Sequence, residues 1–89
     1  MAWFDDVIEK IEYKHQVSQD EVEEAFYNKP KYKKAQKGKF KGEDLYYAYG
    51  RTDRGRYLFI VFIYKRSHAA LIVRARDMNA KEKKRYAKK

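Results

Sequence analysis

The chain has 89 residues, 44% hydrophobic and 39% charged, with 22 Lys and Arg against 13 Asp and Glu and a net charge of +9. That length carries one small core and not two, so a single domain over residues 1–89 is expected. The absence of cysteine excludes a disulfide framework and a thiolate metal site, and the longest apolar run, residues 57–64, is far below the roughly 20 needed to span a bilayer as a helix.

In chain order, residues 3–13 place Phe4, Val7, Ile8 and Ile11 at helical spacing opposite Asp5, Asp6, Glu9 and Glu12, which predicts an amphipathic first helix. Its acidic character is unlike a signal peptide, so a cytoplasmic setting without a membrane is expected. Ser18 and Glu21 have the spacing of a capping box, and a second helix follows with Val22, Ala25 and Phe26 as its buried stripe, ending at Asn28-Lys29-Pro30. Residues 31–41 hold six lysines and read either as an edge strand with a following loop or as a direct RNA contact.

Residues 43–52 predict another strand, and Asp53-Arg54-Gly55 a turn. Residues 57–63 and 69–73 then read as a central antiparallel hairpin turning at 65–67, with both faces of its middle covered because neither run alternates cleanly. Asn79 and Glu82 repeat the capping-box spacing before a basic helix over 80–88. The expected fold class is α+β: two N-terminal helices, a three- to four-stranded antiparallel sheet and a C-terminal helix.

The charge is unevenly spread. Residues 1–30 carry three lysines against eight carboxylates, net −5, which leaves +14 on the remainder. A basic second part with nine tyrosines in the chain points to nucleic acid, through phosphate attraction and base stacking; an ordinary solvated surface is the plain alternative. Strand parity places His68, Ala70, Ile72, Arg74 and Arg76 on one face and Ala69, Leu71, Val73 and Ala75 on the other. Two neighbouring guanidiniums suit a phosphate, or else salt bridges to the acidic helices.

Several segments resemble, in order, the BrnT family of bacterial toxins. They are Lys14-His15, Val17-Ser18, the helix over 21–26, Pro30, Gly50-Arg51-Thr52, Gly55-Arg56, Ala75-Arg76-Asp77-Met78, and Glu82 with Arg85-Tyr86. The end pattern, A-R-[DR]-[MA]-x-x-x-E-[RK]-x-x-Y, is the most specific. Two positions depart from the family: Gln16 stands where glycine is usual, and Arg74 where serine is common. The resemblance implies a type II toxin with a compact fold similar to the RelE toxins, a small ribonuclease that cuts RNA and inhibits translation. It also implies neutralisation by BrnA, a DNA-binding ribbon-helix-helix antitoxin, with the free toxin a monomer or weak dimer and a larger assembly in the complex.

A metal-independent ribonuclease needs a base for the RNA 2′-hydroxyl, cations for the phosphate and an acid for the leaving oxygen. Arg74 and Arg76 are the candidates for phosphate and His15 for acid-base chemistry, with Tyr86 and Glu82 as supporting groups and His68 as a lesser candidate. Lys14, Arg51, Arg56, Lys81, Lys84 and Arg85 are candidates for RNA binding, the helical ones within a basic patch that also includes Lys83, Lys88 and Lys89. No cofactor motif occurs, and two distant histidines without cysteine predict no metal site. The competing function is a non-catalytic basic module that binds RNA, DNA or a protein.

Overall fold

A computed structural model describes residues 1–36, 44–65 and 69–88. The hairpin turn expected at 65–67 falls largely outside them, as do His68 and Lys89. The described elements are α1 (Asp5–His15), α2 (Gln19–Tyr27), β1 (Lys31–Gln36), β2 (Asp44–Arg51), β3 (Tyr57–Tyr64), β4 (Ala70–Asp77) and α3 (Ala80–Ala87). The strands pair antiparallel in the order β1-β2-β3-β4. The α+β arrangement expected from the sequence is therefore present, with four strands, and none of the described helices is long and apolar enough to cross a membrane.

Local chemistry sets the helix ends. Both capping boxes form: Glu21 N–H donates to Ser18 Oγ (3.1 Å) and Ser18 N–H to Glu21 Oε1 (3.0 Å), while Asn79 and Glu82 make the same exchange at 2.8 and 2.9 Å. Helix α1 has no side-chain cap, and Asp5 and Asp6 in its first turn favour the positive end of the helix dipole. It stops at Gln16, whose φ of 52° turns the chain so that Val17 N–H reaches the Ile11 carbonyl (3.0 Å) and Val17 drops fully into the core. Between β2 and β3, Gly55 at φ 90° closes a turn in which Thr52 and Arg56 bond through their backbones (2.9 Å).

Helices α1 and α2 lie on one face of the sheet. Ile11, Val17, Val22 and Ala25 meet Ala48, Leu58, Ile60, Phe62, Ile72 and Ala75 there, all but inaccessible to solvent. Each large aliphatic side chain buried in this way contributes about 1.5–3 kcal/mol of transfer free energy. Gly50 allows the close approach of α2, because a Cβ there would lie 2.9 Å from the Ala25 carbonyl oxygen. Phe4, expected in the stripe of α1, is instead 57% exposed, since the stripe meets the sheet through Val7 and Ile11 further along.

The opposite face departs from the expectation that both sides of the hairpin are covered. Helix α3 reaches it only at the Tyr57 end, where Tyr86 meets Tyr57 edge-on with ring centroids 5.7 Å apart. Val61 and Ile63, further along β3, remain half-exposed.

Strand parity also needs correction. Phe62 pairs with Ile72 and Val61 with Arg74, so Val73 is an extra residue, a β-bulge, and is 40% exposed. The bulge sends both Ile72 and Ala75 into the core. Arg74 and Arg76 still share a face, but it is the face opposite Ile72.

Candidate functional site

The bulge sets Arg74 and Arg76 at the rim between the open sheet face and α1. A groove of about 430 Å³ runs along this rim, lined by Asp6, Lys10, Lys14 and His15 from α1 and by Val73, Arg74 and Arg76 from β4. The structure thus brings together His15, Lys14, Arg74 and Arg76, four of the residues singled out in the sequence. Lys10 joins them one helical turn before Lys14, a neighbour not anticipated although its i, i+4 spacing from Lys14 marks a shared face.

The two arginines differ in their freedom. Arg74 is exposed and makes no hydrogen bond or ion pair among the described residues. Arg76 forks onto Glu82 of α3, Nη1 to Oε1 at 2.8 Å and Nη2 to Oε2 at 3.0 Å, also donates to the Asp77 carbonyl (2.9 Å), and lies 4.3 Å over the Phe59 ring. The hydrogen bond from Arg76 holds the Glu82 carboxyl below the ordinary carboxylate range. Neither arginine pairs with the acidic N-terminal helices, the alternative weighed from the sequence.

His15 is the last residue of α1 and is half-buried. Its carbonyl accepts from Arg56 Nη2 (3.0 Å), while its ring has no hydrogen-bond partner among the described residues. A free imidazole beside a free guanidinium at the edge of a cationic groove can exchange a proton with a group bound there.

Arg56, a sequence candidate for RNA binding, is instead turned inward. Its guanidinium donates to Asp77 (Nε to Oδ1 2.7 Å, Nη2 to Oδ2 3.0 Å), to Glu21 (3.0 and 3.1 Å) and to the carbonyls of His15 and Gln16 (3.0 and 2.7 Å). These partners leave the guanidinium no donor for a phosphate, and the Asp77 hydrogen bonds raise its already high pKa further. In return the Arg56 hydrogen bonds lower the Asp77 pKa, and although burial opposes it, hydrogen bonds from Ser18 and Arg56 lower that of Glu21 as well.

Tyr86 does not line the His15 groove. It belongs to a separate hollow of about 360 Å³ with Lys31, Tyr32, Lys33, Tyr49 and Arg85, and the Lys31 ammonium sits 5.4 Å from its ring centre. Of the remaining RNA-binding candidates, Lys81, Lys84 and Arg85 are exposed on α3. Arg51 lies 5.6 Å from the Tyr57 ring centre at the far end of β2. No three His, Asp or Glu side chains among the described residues converge as a metal ion would require. His68 lies outside the described residues.

Two findings from comparison with known proteins bear on this arrangement. Residues 4–82 match the family model described as the ribonuclease toxin, BrnT, of type II toxin-antitoxin systems. No curated protein matches the sequence.

Proposed function

This chain belongs to the BrnT family of ribonuclease toxins of type II toxin-antitoxin systems, and we propose that it cleaves RNA within the strand, without a metal ion, in the groove between α1 and β4. The observation that carries the reading is the meeting of His15 and Lys14 with Arg74 and Arg76 across that groove. Arg74, with no partner among the described residues, grips the two non-bridging phosphate oxygens through parallel N–H donors, and Arg76 adds positive charge from its fixed position.

The His15 imidazole takes the proton of the 2′-hydroxyl, and the 2′-oxygen attacks phosphorus. The bond to the 5′-oxygen breaks, and that oxygen receives a proton from the Lys14 ammonium, leaving a 2′,3′-cyclic phosphate and a 5′-hydroxyl. Tyr86, in its separate hollow, takes no part in these steps. Cleavage of messenger RNA by this route would inhibit translation.

One observation favours the second reading, a basic module without activity: Arg76 is already committed to Glu82. Incubation of the purified protein with RNA in the presence of a chelator separates the two. Products ending in a cyclic phosphate are expected, and intact RNA that stays bound would overturn the enzymatic reading.

A type II toxin family implies a cognate antitoxin. We assign that role to a ribbon-helix-helix DNA-binding protein similar to BrnA, which covers part of the basic surface in an assembly larger than the free toxin. The free toxin is then a monomer or weak dimer. Co-purification with the product of a neighbouring gene is the expected result, and a neighbouring gene product that neither binds nor neutralises the toxin would reject the assignment.

A further inference from the structure

Antiparallel register lays two rows of side chains next to each other on the face that α3 partly covers. One row runs Lys31, Tyr49, Phe59, Arg76 from β1 to β4, and the next runs Lys33, Tyr47, Val61, Arg74. Each begins with a lysine, passes through a tyrosine and an apolar residue, and ends with an arginine.

Helix α3 closes the first row at both ends. Lys31 Nζ donates to the carbonyls of Tyr86 (2.7 Å) and Lys88, and Arg76 is held by Glu82. The second row has the same chemistry and no such cover. Lys33 and Arg74 are exposed and make no hydrogen bond or ion pair among the described residues, and Tyr47 and Val61 are half-exposed. Between Tyr47 and Arg74 lies a hollow of about 320 Å³, walled by Leu45, Phe59 and Val61.

We propose that the row Lys33, Tyr47, Val61, Arg74 is a track for single-stranded RNA, with a base lying against Tyr47 and the flanking phosphates held at Lys33 and Arg74. Strands about 4.8 Å apart make the row roughly 14 Å long, enough for a short run of nucleotides. Cations at both ends with an aromatic surface between them match the alternation of phosphate and base in a single strand. The row holds no carboxylate to repel a phosphate. The inference rests on the ribonuclease reading and extends it, since Arg74 would hold both the track and the scissile phosphate beside His15.

The test uses a fluorescein-labelled deoxyuridine oligomer, which lacks the 2′-hydroxyl and so binds without being cut, titrated by anisotropy at several salt concentrations. Tyr47→Ala is expected to weaken binding about tenfold while Tyr47→Phe, which keeps the stacking face, binds as the unaltered protein does. Lys33→Ala, at an exposed position unpaired among the described residues, is expected to lower the slope of log affinity against log salt by about one. Unchanged binding in Tyr47→Ala and Lys33→Ala, with RNA still cleaved, would overturn the track and leave the ribonuclease reading standing. An unaltered protein that does not bind the oligomer would also overturn the track, and RNA left intact in the same preparation would remove the ribonuclease reading with it.

Discussion

Arg56 and Asp77 form a two-pronged ion pair, Nε to Oδ1 at 2.7 Å and Nη2 to Oδ2 at 3.0 Å, between the start of β3 and the end of β4. The same guanidinium reaches the two carbonyls where α1 ends and the carboxylate that caps α2. One side chain therefore fixes the backbone of His15 relative to the strand that bears Arg74 and Arg76.

Replacing that fork should loosen three elements together. Arg56→Ala is expected to cost about 2–3 kcal/mol, because it leaves Glu21 and Asp77 without their cation. The expected fall in Tm is on the order of 10 °C or more. Arg56→Lys should recover little, since a single ammonium cannot reproduce the planar fork. Thermal unfolding of the two variants checks this, and a lysine variant as stable as the parent would refute it.

Arg74 and Arg76 should separate activity from stability. Arg74→Ala removes a side chain that has no partner among the described residues, so unfolding should shift by no more than about 0.5 kcal/mol while cleavage falls on the order of a hundredfold. Arg76→Ala should lower cleavage and also cost about 1–2 kcal/mol, through loss of the bidentate Glu82 pair. Parallel unfolding and cleavage assays on the single variants read both quantities. Full cleavage by the Arg74 and Arg76 double variant would reject the phosphate assignment.

Acid should weaken the fold through Asp77, Glu21 and Glu82, whose carboxyls are all held below the ordinary range. A depressed carboxyl binds fewer protons folded than unfolded near pH 4. Its stabilisation is complete above the unfolded value of about 4 and is lost as pH falls through the lower folded value. Asp77→Asn should thus be less stable than the parent at pH 7, and the difference should shrink by pH 3. Urea midpoints at the two pH values measure it; a gap that widens in acid would contradict the sign.

Gln16 occupies a left-handed conformation, φ 52°, that costs a residue with a side chain about 1–2 kcal/mol. Its side chain recovers part of this by donating to the Tyr13 carbonyl at 3.1 Å. Glycine adopts the conformation freely but loses more entropy on folding, so Gln16→Gly should raise stability by about 0.5–1 kcal/mol. A denaturant midpoint at or below that of the parent would show that the amide contact outweighs the backbone strain.

What could be read in the sequence was mostly local. Ser18 with Glu21 and Asn79 with Glu82 announce their helices because the interacting atoms are three residues apart. The side-by-side arginines follow from an i, i+2 spacing. Arg56 misleads because its partners lie 21 to 41 residues away and its charge alone suggests a surface role. Residues 31–41 read two ways because only the register of β1 with β2 shows which lysines face Tyr47 and Tyr49. Likewise, nothing in the run Ile72-Val73-Arg74-Ala75 distinguishes a regular strand from one carrying an extra residue, so simple alternation puts Ile72 on the wrong side of Arg74.

That extra residue works like a reading-frame change written in space. Pairing Val73 in regular register would leave every side chain of β4 in the sequence, yet turn Arg74 and Arg76 onto the core face that Ile72 occupies. Whether the guanidiniums face outward or toward a hydrophobic interior is thus decided by the bulge at Val73 as much as by the identity of the residues around it. A chain without Val73 would need no bulge: Ile72 and Ala75 would alternate regularly into the core and the arginines would keep their outward face.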